Sequence, residues 1–402
     1  MPSKSRKDRL LIITQSFIKH KGDILSKHIF VAAKLLVQTG WEVSVLAPHE
    51  NRLARHEDIE GVKVFRFKYF WTRYERLAYT GRMHEVVARS PLNLLIFLFF
   101  LFFFLLRAVQ VAKRTRPLAI HAHWWIPTGI IGCLVSHLTN IPLLVTLHGT
   151  DARLISERPF LSSLARWVFM SADKISVVSH FIKEQLVGGL RVPADKIFVF
   201  PMPIDTEKIY KKEVPPPERK MVLCVARLLE QKDLGTLIRA FHRLHQNWRE
   251  LDLVIIGEGS ESEKAKLENL IRKLNLEKDV ALYDFMLQEE LNQYYNMCDL
   301  YVLPSLGEGF GLQLVEAQLC KKPVIGARSG AIPEIIEDGK TGLLVPPQDP
   351  AALASAMERI LADENLASRL GEGGYQSAKA RFSQETFLRK YVKVLRWAQR
   401  KF

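Results

Sequence analysis

Leu300-Tyr301-Val302-Leu303-Pro304-Ser305-Leu306-Gly307-Glu308-Gly309-Phe310-Gly311-Leu312-Gln313-Leu314-Val315-Glu316-Ala317 reads as a strand, a glycine loop and a helix in immediate succession. The first four residues are apolar and stop at a proline, which suits a strand buried on both faces of a parallel sheet. Gly307, Gly309 and Gly311 allow the backbone to approach a ligand closely. A helix starting near Leu312 aims its first N–H groups back at that loop, where an anion would sit. A strand feeding straight into a helix is half of a βαβ unit. Repeated, it implies a parallel sheet with right-handed crossovers.

The same alternation runs outward on both sides. Downstream, strands are expected at 324–327 and 342–345 around a short helix at 332–336. Upstream, strands at 221–225, 251–256 and 280–283 alternate with helices at 234–245, 261–274 and 289–297. A break precedes them: Pro201, Pro203 and the run Pro215-Pro216-Pro217 read as a linker. Before the break, strands are expected at 10–14, 42–47, 62–67, 119–123, 143–146, 174–178 and 197–200. A helix at 26–39 has Gly40 at its C-cap. The fold class is therefore α/β, with two Rossmann-like doubly wound domains facing across a cleft. Ligands in such sheets bind at the carboxyl ends of the strands. The expected boundaries are 1–203, 204–384, and a final helical segment at 385–402 that crosses back to the first domain.

Length and composition agree with two folded domains. The chain has 402 residues, of which 48% are hydrophobic and 25% charged. Its net charge of +14 points to a polyanionic partner: nucleic acid, an anionic membrane or a phosphorylated substrate. No basic strip interleaved with aromatics and no nucleic-acid-binding motif is present, so nucleic acid is set aside. Cys133, Cys224, Cys298 and Cys320 form no Cys-x-x-Cys pair, which argues against zinc and against a disulfide framework. A reducing, cytoplasmic setting fits. The apolar stretch at 10–13 is too short for a signal-peptide core and is read as the first strand.

One run stands apart. Thirteen consecutive apolar residues, six of them Phe, begin at Leu94 and end at Leu106. Spanning a bilayer takes about 20, so a transmembrane helix is rejected. A fully buried core helix and a helix dipping into one leaflet remain. No carboxylate lies between Glu85 and Asp151, while Arg89, Arg107, Lys113, Arg114 and Arg116 do. Each basic residue near an anionic surface contributes about 1 kcal/mol, which favours peripheral membrane contact.

Four motifs carry candidate chemistry. Glu308 and Glu316 stand eight residues apart on either side of the glycine loop and helix start. A diphosphate could sit at the helix tip, with a carboxylate on each side accepting hydroxyl hydrogen bonds. Two surface acids near a loop would be the bland alternative. Arg227 and Lys232 follow the strand at 221–225, and Arg with Lys is a common pair for pyrophosphate. Thr146-Leu147-His148-Gly149-Thr150-Asp151 closes a first-domain strand, with Asp151 placed to orient the turn. Lys21-Gly22-Asp23 lies between the first strand and first helix, and His121-Ala122-His123-Trp124 ends another strand. His121 and His123 share a strand face, but no third metal ligand is visible. Packing or acceptor contact is the reading for this pair.

The segment from Pro304 to Ala317 resembles the retaining glycosyltransferases of family 4, which have the GT-B fold. The similarity continues through Pro323-Val324-Ile325-Gly326, Gly330-Ala331-Ile332-Pro333-Glu334 and Gly339-Lys340-Thr341-Gly342-Leu343-Leu344-Val345-Pro346. By that resemblance Glu308 contacts the donor sugar and Glu316 the ribose hydroxyls. Arg227 and Lys232 bind the donor diphosphate, and His148 contacts the sugar from the first domain. Glu308, His148, Arg227 and Lys232 are the expected catalytic set. Glu316, Gly309, Phe310, Gly311, Leu312 and Gly22 are the expected donor-binding set. Asp23, His123 and Asp151 lie on the acceptor side. The N-terminal domain would face the acceptor and the C-terminal one the nucleotide sugar. Met202-Pro203-Ile204-Asp205 and Lys321 depart from the family pattern, and neither position carries the proposed chemistry.

The implied reaction is transfer of a hexose-type sugar from a UDP- or GDP-sugar, with retention, to a lipid-linked or membrane-surface acceptor. No Asp-x-Asp motif is present, so no metal and no cofactor are expected, and location is expected on the cytoplasmic face of a membrane. Two alternatives stay open. One is a nucleotide-sugar epimerase of the same architecture; the other is a non-catalytic membrane- or polyanion-binding protein.

Overall fold

A computed structural model describes residues 8–398 apart from 21–22, 24–25, 76, 80–82, 89, 205, 207 and 216. The chain forms two compact units, Met1–Pro203 with Phe387–Phe402, and Ile204–Thr386.

The first unit runs β1 (Arg9–Ile13), α1 (Lys27–Gln38), β2 (Glu42–Pro48), β3 (His56–Ile59), β4 (Val62–Phe67), α2 (Met83–Ala88), α3 (Pro91–Thr115), β5 (Ala119–His123), α4 (Ile130–Thr139), β6 (Leu143–Leu147), α5 (Thr150–Glu157), α6 (Ser162–Ser171), β7 (Lys174–Val177), α7 (His180–Leu190) and β8 (Ile197–Val199). The second runs β9 (Lys220–Val225), α8 (Leu234–His245), β10 (Leu251–Ile256), α9 (Glu261–Lys273), β11 (Val280–Tyr283), α10 (Gln288–Met297), β12 (Leu300–Leu303), α11 (Leu312–Leu319), β13 (Val324–Ala327), α12 (Ile332–Ile335), β14 (Leu343–Val345), α13 (Pro350–Ala362) and α14 (Glu364–Phe382). A last helix, α15 (Gln384–Leu395), places Phe387 and Tyr391 in the core of the first unit beside Leu10, Val43 and Phe200.

The second sheet has the order β11-β10-β9-β12-β13-β14, all parallel. Counted from its first strand this is the 3-2-1-4-5-6 order of a dinucleotide-binding fold. The order reverses between β9 and β12, which pair through Val222–Leu300 and Leu223–Tyr301. The first sheet, β3-β4-β2-β1-β5-β6-β7-β8, reverses between β1 and β5. Its edge strand β3 is antiparallel to β4 and went unforeseen, because His56-Glu57-Asp58-Ile59 has no apolar alternation. Gly40 ends α1 as expected: Trp41 N–H bonds Leu36 O and Gly40 N–H bonds Val37 O, with Gly40 φ at 92°.

The apolar run needs correcting. It lies inside α3, whose 25 residues are long and apolar enough to cross a membrane. The rejection based on thirteen residues counted only the uninterrupted stretch. Ser90 caps the helix through Asn93 N–H at 3.2 Å and Pro91 occupies its first turn. The helix is not fully buried either. Ile96, Phe100, Phe104, Ala108 and Val111 face inward, and the Phe104 ring stacks on Phe67 of β4 at 4.6 Å. Leu94, Leu98 and Phe102 point outward, with Phe102 61% exposed.

Candidate active site

In the second unit the loops at the carboxyl ends of β9, β10, β12 and β13 come together at the point where the strand order reverses. Tyr301 Oη donates to Val225 O at 3.1 Å, tying β12 to the end of β9. The loop after β9 is held on its other side by the loop after β10. Leu228 N–H bonds Glu258 O at 2.7 Å. Any Cβ at Gly257 would lie 1.9 Å from Ala226 O, so only glycine permits that approach. Arg227 is exposed at the turn of this clamped loop.

A short 3-10 turn, Glu230–Lys232, then brings Lys232 inward. Its ammonium pairs with the carboxylate of Glu308, and both side chains are almost wholly buried. The surrounding backbone is stitched to match. Leu306 N–H donates to Gln231 O at 2.8 Å, and Gln231 Nε2 donates to Gly307 O at 2.6 Å. On the far side, Ala331 N–H bonds Glu308 O at 2.9 Å. Gly330, at φ 59°, passes so close that a Cβ there would sit 2.5 Å from Glu308 N.

α11 follows Gly311, whose φ is 97°, and no side chain caps it. Gly309 and Leu312 are half-buried in the loop and first turn. Phe310 turns inward against Phe382, with ring centroids 5.4 Å apart. Glu316 accepts from Tyr295 Oη at 2.8 Å and from Gln288 Nε2 at 3.3 Å. Gln231, Gln288, Tyr295, Gly257 and the role of Gly330 were not picked out from the sequence. Only the glycines left a trace there.

In the first unit His148 lies among aromatic rings. His123 Nδ1 and His148 Nε2 are 2.9 Å apart, and His28 and Trp124 each place a ring centroid 4.9 Å from that of His148. His148 Nδ1 faces Met202 Sδ at 3.2 Å. His121 is absorbed by packing, between Tyr391 Oη and Thr146 Oγ1. Burial lowers every imidazole of this group: His28 to about 4, His121 to about 3, and His123 and His148 well below the usual value. The cluster is therefore neutral at physiological pH and can donate or accept hydrogen bonds without charge.

Asp151 is buried beneath the turn. Its Oδ1 accepts from the N–H groups of His148, Gly149 and Ala152 at 2.9, 3.1 and 3.1 Å, and Oδ2 accepts from Trp125 N–H at 3.3 Å. Asp23 accepts from Lys19 N–H at 2.8 Å. Gly22 lies outside the described residues. Among the described residues no three His, Cys, Asp or Glu side chains are placed to hold a metal ion.

Comparison with known proteins adds the family. The family model for glycosyl transferases group 1 matches residues 205–377, and that for glycosyltransferase family 4 matches residues 25–208. An uncharacterised glycosyltransferase of Methanocaldococcus jannaschii is 31% identical over 66% of this chain and 71% of its own length. N-acetyl-alpha-D-glucosaminyl L-malate synthase of Bacillus anthracis is 28% identical over 72% of this chain and 77% of its own. The crystal structure of Anabaena HepE in complex with UDP-glucose superposes with a TM-score of 0.73 at 19% identity, over 96% of this chain and 99% of that one. With two Rossmann-like sheets, a buried acid–base pair at the strand reversal of the second, and both family models covering the two units in turn, the chain belongs to glycosyltransferase family 4 and has the GT-B fold.

Proposed function

We propose that the second unit binds a nucleotide-diphosphate sugar, UDP- or GDP-linked, and that the enzyme transfers its hexose-type sugar with retention. The observation that carries this reading is the Lys232–Glu308 pair at the reversal between β9 and β12. Arg227 and Lys232 meet the diphosphate, with the uncapped start of α11 adding its N–H groups. Fixed charge there replaces a metal in stabilising the leaving group. Glu308 grips the sugar and Glu316 the ribose hydroxyls, while His148 and the neutral rings around it serve the sugar-handling side of the first unit. HepE, which has the same fold, was crystallised with UDP-glucose.

Unfolding curves with UDP, GDP and ADP test the base. A ligand at 100 times its Kd raises stability by about 2.7 kcal/mol. Glu308→Ala is expected to abolish transfer in a folded protein, with full activity refuting the assignment. Transfer unaffected by chelator and a product of unchanged anomeric configuration are the further expectations.

The acceptor side is drawn to a membrane by α3. Its inner face is fixed in the sheet, so it lies along a bilayer surface instead of crossing it, and its outer face offers Leu94, Leu98 and Phe102. A lipid-linked acceptor at the cytoplasmic face follows. Flotation on anionic liposomes checks it, and a protein that stays in the soluble fraction overturns it.

A further inference from the structure

α3 shares one side of the first unit with α4, α6 and α7. α3 links β4 to β5, and α4 links β5 to β6. The segment carrying α6 links β6 to β7. Each crossover moves the same way across a parallel sheet, so right-handed connection puts all three on one face. α4 indeed packs against both α3 and α6.

The apolar exposure does not stop at α3. Leu134 and Leu138 project from α4, with Leu138 58% exposed. Leu164, Trp167 and Met170 follow one another at three-residue spacing along the outer side of α6. Phe160, in the turn before α6, is 74% exposed and Trp167 44%. Single exposed apolar residues are ordinary, but a field of them across three neighbouring helices marks an interaction surface.

Charge selects the occupant. From residue 86 to 172 the chain carries eight Lys and Arg and only two acids, Asp151 and Glu157. Asp151 is buried, and Glu157 is paired with Arg153. Arg158 and Arg166 are exposed beside Phe160 and Trp167. A second copy of the chain meeting this face would bring like charge against like charge, because a twofold interface must complement itself. An anionic bilayer supplies the opposite sign and a plane, and Trp with Phe is the composition that favours the headgroup boundary.

We propose that the membrane-docking surface is the whole α3–α4–α6 face, with Phe160 and Trp167 as a second anchor. The proposal rests on the reading of α3 as membrane-facing and adds the anchor, which fixes the orientation of the first unit on the bilayer. The side ends at α7, where Glu184 is exposed.

The full chain is floated on phosphatidylcholine vesicles containing about one third phosphatidylglycerol. Three proteins are compared: the parent, an α3 pair (Leu98→Ser with Phe102→Ser) and an α6 pair (Phe160→Ser with Trp167→Ser). Circular dichroism confirms folding, since all four side chains are at the surface. The expected result is a loss of partitioning of about tenfold or more in each pair. If only the α3 pair loses binding, the second anchor is overturned and the α3 reading stands. If neither loses binding, both are overturned. If the lipid-free parent sediments as a dimer that the α6 pair converts to a monomer, the face joins two copies and the proposal falls.

Discussion

The ammonium of Lys232 and the carboxylate of Glu308 form an ion pair across 76 residues of chain, each side chain about one-tenth exposed. Two desolvated charges hold each other, and removing one leaves the other buried without compensation. Glu308→Gln and Lys232→Met are each expected to destabilise the protein by about 3–5 kcal/mol. The double variant is expected to lose less than the sum, with a coupling of about 1–3 kcal/mol. Urea unfolding of the four proteins measures it. Strict additivity would mean that the two charges act on stability separately.

Gly330 offers a second route to the same carboxylate. Its φ of 59° disfavours any side chain, and a Cβ would strike Glu308 N and O at 2.5 and 2.6 Å. Gly330→Ala is expected to cost about 1–3 kcal/mol and to lower transfer by displacing Glu308. Gly188 lies inside α7 with open space around it, so Gly188→Ala is expected to gain about 0.5–1 kcal/mol with unchanged activity. Thermal unfolding and initial rates separate the two. Equal effects at both positions would show that crowding at Glu308 is not what Gly330 relieves.

Most of this architecture is local information, and so it could be read early. The strands of the second sheet are short, mostly apolar runs, of which β10, β12 and β14 are followed directly by Gly257, Pro304 and Pro346, and α8 spans the range expected. The loop from Gly307 to Gly311 declares itself by three glycines, two of which do take positive φ. What escaped has a non-local cause. Tyr295 reaches Glu316 only because α10 packs beside α11, and nothing in Asn292-Gln293-Tyr294-Tyr295 announces that. The depth at which His121 lies depends on Tyr391, 270 residues away. α3 was misjudged because its apolar run was counted without its cap at Ser90 and its polar last turns.

Tyr295 gives a prediction on recognition. Its hydroxyl donates to the Glu316 carboxylate at 2.8 Å and, with Gln288 Nε2, helps to aim it. A hydrogen bond to a charged group contributes about 1.5–3 kcal/mol, so Tyr295→Phe is expected to raise KM for the nucleotide sugar about tenfold or more. Little change in kcat is expected, because Glu316 is assigned to the ribose and not to the reacting carbon. Steady-state kinetics decide it, and a fall in kcat with KM constant would move Glu316 to the chemical step.

The imidazole cluster predicts a pH dependence of stability. Burial depresses His28 to about 4 and His121 to about 3, and lowers His123 and His148 well below the usual value. Unfolded histidines take up protons near pH 6.5, while the folded ones resist. As pH falls below that value, protons bind the unfolded chain preferentially, and stability drops by roughly 1.4 kcal/mol per pH unit for each such group. The loss for His28 levels off near pH 4. Burial raises Asp151 to about 6, which acts in the opposite sense between pH 6 and 4, but it is one group against four. Unfolding free energy is therefore expected to fall between pH 6.5 and 5. His28 Nε2 has no hydrogen-bond partner, so His28→Gln removes its titration at small structural cost. The variant is expected to show a slope shallower by about one proton in urea titrations across this window. An unchanged slope would mean that His28 takes up its proton as readily in the folded chain as in the unfolded one.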